Sequence, residues 1–254
     1  MTNFKLNFIE LFFMKIKNDL SPNYSKKIRL KKNIKFVIIH YTGMQSEIES
    51  IKRLKNIKSK VSCHYFINRK GLITQMVKDH QIAWHAGKSK WKNFKDLNEN
   101  SIGIELVNKG HEFGYQTFSS IQIKNLIYLC KNLKKKYMIK RENFLGHSDI
   151  APLRKLDPGE KFPWKKLSKH NIGYWRGNSK KKLKLSNYKK IEYLFFKNLF
   201  KIGYRYFKIN KRLKKDKFII RSFQQHYLPQ NVTGKIDEKT YKISNILVNE
   251  LKLT

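Results

Sequence analysis

Cysteine is nearly absent: Cys63 and Cys130 are the only two in 254 residues. That excludes a disulfide-stapled scaffold and a zinc site built from closely spaced cysteine pairs, and Cys130, in an apolar helical stripe, is assigned to the core. Long apolar runs are lacking too. No stretch reaches the ~18 apolar residues of a membrane span. The N-terminal run Phe8–Met14 is interrupted by Glu10 and has no small-residue cleavage site. No secretory signal is therefore expected, and residues 1–28 read as an extension, at most a weak amphipathic segment for a membrane surface. Negative charge is scarce, with 18 Asp and Glu against 56 Lys and Arg and a net charge of +38. Such a chain suits an anionic polymer or surface. The lysines, however, run through nearly every segment together with Ile and Asn and form no nucleic-acid-binding motif, so no specific nucleic acid is expected as a partner. A hydrophobic content of 40% with 13% aromatics is enough for a packed core and excludes wholesale disorder.

What is present is punctuated as alternating strands and helices. "KFVIIHYTG" (35–43) is a β-branched run of the kind buried on both faces of a sheet, with His40 at its C-terminal end. "SEIESIKRLKN" (46–56) carries Ile48, Ile51 and Leu54 at helical spacing, and "CHYFINRKGLITQMV" (63–77) alternates about an "RKG" turn, a hairpin. In "NSIGIELVN" (100–108), Ile102, Ile104 and Leu106 face one way and Gly103, Glu105 and Val107 the other. "SSIQIKNLIYLCKNLKKKY" (119–137) is an amphipathic helix with a Ser119–Gln122 capping box and lysines at its negative dipole end. "RENFLGHSDI" (141–150) reads as a short last strand. These elements predict an α/β domain over 29–172. A basic linker (173–188) and a small all-α domain of three helices (189–254) follow, with Asp216 and Asp237 as N-caps of the second and third.

The candidate chemistry lies in His40, in Glu105 inside an otherwise apolar strand, and in "GHSDIAPLRKLDPGEKFPW" (146–164), which gathers His147, Lys155, Asp157 and three prolines. In α/β sheets chemistry collects beyond the carboxyl ends of strands, and two imidazoles plus a carboxylate form a ligand set for catalytic zinc with one position left for water. Each residue also has a plain alternative: a hydrogen-bonded histidine, an Asp-Pro-Gly turn, a Glu–Lys ion pair. Spacing alone leaves these open.

The segments "FVIIHYTG", "VSCHYFINRKGLITQMV", "AWHAG", "NSIGIELVN" and "GHSDIAPLRKLDPGEKFPW" resemble, in order over 33–167, the zinc-dependent N-acetylmuramoyl-L-alanine amidases of the AmpD and AmiD type. These are relatives of phage T7 lysozyme and of peptidoglycan recognition proteins. The resemblance implies a mixed central sheet flanked by helices, with His40, His147 and Asp157 as Zn²⁺ ligands, Glu105 as catalytic acid/base and Lys155 as stabiliser of the transition state. The implied reaction is hydrolysis of the amide between N-acetylmuramic acid and L-alanine in peptidoglycan or its anhydromuropeptides, for wall turnover or recycling; a non-catalytic recognition protein is the alternative. Trp84 and His85 are expected to line the groove, and Asn108 and Arg154 to contact peptide carboxylates or sugar. His64 is expected to be structural, and Ser148 and Asp149 to shape the loop. The phage and recognition-protein branch has cysteine as third ligand and a tyrosine near the substrate; here Asp157 and Cys63 stand in those places, which puts the chain on the AmpD and AmiD side. "IIRSFQQHYLPQNVTGKIDEKTYKISNIL" resembles a peptidoglycan-binding domain through Phe223, Gln224, Gly234, Asp237 and Thr240. A monomer is expected, cytoplasmic for want of a signal, with the cell envelope as the alternative.

Overall fold

The computed structural model describes residues 16–175 and 188–252. Most of the expected linker (176–187) and residues 1–15 of the extension lie outside the described residues. The strands β1 (Lys17–Asn18), β2 (Phe36–Tyr41), β3 (Tyr65–Ile67), β4 (Ile73–Gln75), β5 (Ser101–Leu106) and β6 (Phe144–Gly146) form one sheet. Its order is β1-β4-β3-β5-β2-β6. The hairpin β3–β4 is antiparallel and every other neighbouring pair is parallel, so the sheet is mixed as expected. The helices are α1 (Glu47–Lys55), α2 (Ser120–Tyr137), α3 (His147–Ile150), α4 (Trp164–Ser168), α5 (Tyr188–Ile202), α6 (Asp216–Tyr227) and α7 (Glu238–Glu250). No helix among the described residues is long and apolar enough to cross a membrane.

Period-two alternation divides the strands between two cores. Val37, Ile39, Ile102, Ile104 and Leu106 pack with Ile123, Leu126, Ile127, Cys130 and Leu133 of α2. The alternate residues Phe36 and Ile38 join Trp91, Ile150, Phe195, Phe196, Leu199, Tyr204, Phe223 and Leu247 in one continuous core, so the C-terminal helices cover part of the second sheet face. Trp91 seats against Tyr204, with ring centroids 4.9 Å apart. This close approach needs Gly203, whose φ is +143° and where a Cβ would stand 2.4 Å from the indole.

Local chemistry departs from expectation at four points. Ile48 is exposed whereas Leu54 is buried, because six residues of helix turn the chain by about 600° and leave the two about 120° apart. Ser46 and Glu49 form a full capping box on α1. In α2 only half of the expected box exists: Ser119 accepts the Gln122 N–H, but the Gln122 amide donates to Ile67 O and Val107 O, tying the helix to the sheet. Residues 147–150 wind into the short helix α3 directly after β6 instead of extending the strand. Asp237 caps α7 by accepting the Thr240 N–H at 2.7 Å, whereas Asp216 lies inside α6 and accepts from Leu213 N at 2.9 Å. Gln224 binds inward, accepting from Gly234 N and donating to Thr240 Oγ1 and Lys235 O, so the residues on which the expected wall-binding resemblance rests brace the inside of this unit.

Candidate metal centre and cleft

The parallel strands β5, β2 and β6 bring their carboxyl ends to one edge of the sheet, where crevices form. His40 ends the buried part of β2, Glu105 is its in-register partner on β5, and His147 follows β6 immediately. Partners in register lie about 5 Å apart on one face, so Glu105 and His40 project together from the side opposite α2. The loop after α3 returns along the same edge; Ser148 N donates to Asp157 O at 2.8 Å and delivers the carboxylate.

His40 Nδ1, His147 Nδ1 and Asp157 Oδ2 stand 3.0 Å from one another in all three pairings. All three residues are buried. The far side of each ring has a polar partner. His147 Nε2 lies 3.1 Å from Ala86 O, which can only accept; Arg154 Nη2, 3.3 Å from the same nitrogen, gives its two hydrogens to Ala86 O and Lys88 O, so the His147 proton is on Nε2 and Nδ1 is a lone pair. His40 Nε2 meets His85 Nδ1 at 3.0 Å, and burial, with the neighbouring His147, lowers the His40 pKa to about 4, which keeps the ring neutral. Three acceptor-capable atoms this close need a proton or a metal ion among them. Their spacing is near the about 3.3 Å separating donors on a tetrahedral ion with bonds of about 2.0 Å. The donors therefore fit a metal ion, and among the described residues they are the group able to hold one.

The donors open into a cleft of about 570 Å³ that is also lined by Glu105, Lys155, Trp84, Arg53, Lys109 and His111. Glu105 Oε2 is buried without a partner. Burial, reinforced by the charge of Asp157 and opposed by Lys155, pushes its carboxyl up to about 8. A cation held by its neighbours would draw that value down again.

Of the remaining expected residues, Trp84, His85 and Arg154 line the cleft, but Asn108 does not. Asn108 is buried and braces its own loop, accepting from Gly110 N and Gln116 N and donating to Gln116 O. Arg154 donates from Nε and Nη2 to the carbonyls of Ala86 and Lys88 and brings Nη2 within 3.3 Å of His147 Nε2. His85 has both ring nitrogens engaged, by His40 and by Ser101. His64 sits inside the sheet, accepting the Gly103 N–H and contacting Arg29 and Gln81 O; burial, then Arg29, lowers its pKa to about 3. Asp149 does more than shape its loop: it accepts from Gly146 N, Tyr204 O–H at 2.5 Å and His226 Nδ1 at 2.7 Å, joining α3 to the C-terminal helices. Sequence reasoning passed over Ser101 and the rim formed by Tyr41, His111 and Glu160, in which His111 bridges Tyr41 O–H and the Glu160 carboxylate. The signal for the crowding near Ser101 was Gly103, since glycine inside a strand marks a close approach; a Cβ there would lie 2.3 Å from His85 Cγ.

Residues 30–160 match the family model described as N-acetylmuramoyl-L-alanine amidase. The chain is 34% identical over 232 residues to the N-acetylmuramoyl-L-alanine amidase AmiD of Escherichia coli strain K12, covering 85% of this chain and 83% of that protein. It is 39% identical over 108 residues to the 1,6-anhydro-N-acetylmuramyl-L-alanine amidase AmpD of Haemophilus influenzae, covering 42% of this chain and 56% of that one. Its structure is similar to AmiD from Escherichia coli solved with the substrate anhydro-N-acetylmuramic acid-L-Ala-D-gamma-Glu-L-Lys. There the TM-score is 0.77 at 30% identity, covering 91% of this chain and 93% of that one.

Proposed function

The chain belongs to the N-acetylmuramoyl-L-alanine amidases of the AmpD and AmiD type, and on that premise we propose that it hydrolyses muropeptides with a zinc ion held by His40, His147 and Asp157. The observation that carries the reading is the convergence of three potential ligand atoms on one point, with Glu105 lining the same cleft. Two imidazoles and one carboxylate suit zinc better than the all-oxygen shells of calcium or magnesium. When bound, the ion supplies Lewis-acid chemistry, polarising the amide carbonyl and acidifying the attacking water.

The chain's own groups do the rest. Glu105 lines the cleft, and its carboxylate takes the proton of the attacking water and returns it to the alanine nitrogen as the bond to the lactyl carbonyl breaks. The Lys155 ammonium lines the same cleft and offsets negative charge developing on the carbonyl oxygen. Trp84 offers an apolar wall, and Arg53 and Lys109 on the rim suit the carboxylates of a stem peptide. Recognition without turnover is not favoured, because the three donors, Glu105 and Lys155 all line this cleft. Any wall contact by residues 189–254 falls to their exposed side, where Tyr193 and Phe200 lie, since the residues of the expected motif are turned inward.

The test is digestion of a purified anhydromuropeptide, with release of free stem peptide as the readout. Full activity after exhaustive chelation would overturn the zinc assignment. Activity that is absent under every metal condition would overturn the enzymatic one.

A further inference from the structure

We propose that the dipeptide His85–Ala86 is the orienting shell of the metal centre, and that a relay from Leu97 O through Ser101 and His85 fixes which nitrogen of His40 is free to bind metal. His85 is then a positioning residue and not a substrate contact. The inference rests on the reading of His40 as a ligand and assigns a role to residues behind it.

The direction of the relay follows from its buried end. Ser101 Oγ donates its single proton to Leu97 O at 2.5 Å, so towards His85 Nε2, 3.2 Å away, it can only accept. His85 therefore carries its proton on Nε2 and presents Nδ1 as a lone pair. That lone pair receives the Nε2–H of His40 at 3.0 Å, which leaves His40 Nδ1 bare towards His147 and Asp157. The rings of His40 and His85 meet edge to face at 82°. Neither His85 nor Ser101 is solvent-accessible enough for water to replace these bonds, at 8% and 0% exposure.

The other half of the dipeptide does the same for the second ligand, because Ala86 O accepts the Nε2–H of His147. One short segment thus sets both imidazoles. It is itself held from three sides. Asn98 Oδ1 accepts the backbone N–H groups of His85 and Ala86, at 3.0 and 2.6 Å, the guanidinium of Arg154 donates to Ala86 O, and the bare backbone of Gly103 leaves the His85 ring its place. Partners behind a ligand histidine fix its tautomer and raise its basicity, and removing one weakens metal binding by about 10–100-fold.

Zinc affinity of the full chain by chelator competition, together with ¹⁵N spectra of the histidine rings, tests this. His85→Phe, which keeps an aromatic ring and loses the acceptor, is expected to bind zinc about 10–100-fold more weakly. His85→Asn, whose Oδ1 stands where Nδ1 was, is expected to recover part of the loss, and Ser101→Ala to weaken binding less than His85→Phe. In the wild-type chain without metal, the ring protons of His40 and His85 are both expected on Nε2. A His40 proton on Nδ1, or zinc held as tightly by folded His85→Phe as by wild type, would overturn the relay. Wild-type chain that binds no zinc while both protons sit on Nε2 would overturn the metal reading and leave the hydrogen-bond order standing.

Discussion

The two faces of the sheet are made from the same strands and serve different ends. On the α2 side, Val37, Ile39, Ile102, Ile104 and Leu106 pack into an apolar cluster. On the other, the first residues of β2 run under the C-terminal helices, as Phe36 and Ile38, and the last, His40, opens into the cleft beside Glu105. One face holds the sheet rigid, and the other uses that rigidity to hold polar groups in a geometry they would not adopt unaided. The second face is also where the chain's distant ends meet. Asp149, two residues after His147, anchors Tyr204 and His226, so the C-terminal helices bear on the loop of the proposed metal site.

Substitutions on the two faces should therefore separate activity from stability. The largest effect is expected from Glu105→Gln, which should lower hydrolysis by about 10²–10⁴-fold while zinc content and melting temperature stay at wild-type values; kinetics alongside elemental analysis checks both. Leu126→Ala, on the α2 face, should reverse the pattern, with about 2–5 kcal/mol lost in urea unfolding and zinc affinity unchanged. Asp149→Ala should break the separation. It strands the Tyr204 hydroxyl, the His226 ring and Gly146 N–H in a buried place, for about 3–9 kcal/mol in all at about 1–3 kcal/mol per group, and by loosening α3 it should also weaken zinc binding several-fold. An Asp149 variant that loses stability but keeps wild-type zinc affinity would show that the bundle does not bear on the site.

The smallest effect is one of pH. The folded-state pKa of His64, about 3, lies below the unfolded value near 6.5. The unfolded chain therefore gains a proton below pH ~6.5 that the folded chain refuses. Stability is complete above that value and is lost as pH falls from ~6.5 towards 3, by about 2 kcal/mol from this group between pH 7 and 5. Urea midpoints of the metal-free protein at the two pH values, with His64→Gln as control, measure it; equal midpoints in wild type would contradict the buried neutral histidine.

How far the sequence was legible follows from the range of each interaction. The β-branched run of β2, the alternation of β5 and the stripe of α2 are local periodicities and were readable, as was the gathering of His147, Lys155 and Asp157 in one proline-rich loop. Roles decided by distant backbone were not. That Asn108 braces its own loop, and that Arg154 also supports the carbonyls of Ala86 and Lys88, comes into view only with the distant backbone that engages them. The covering of Phe36 and Ile38 by the C-terminal helices depends on pairs such as Asp149 and Tyr204, 55 residues apart, which no periodicity encodes.

The most direct measurement is anomalous diffraction at the zinc edge from crystals of the zinc-loaded chain. The account predicts one peak per molecule, bonded by Nδ1 of His40, Nδ1 of His147 and Oδ2 of Asp157, with Glu105 beside it and not bound to it. A peak elsewhere, or none there from a chain that cleaves muropeptides at full rate, would contradict it.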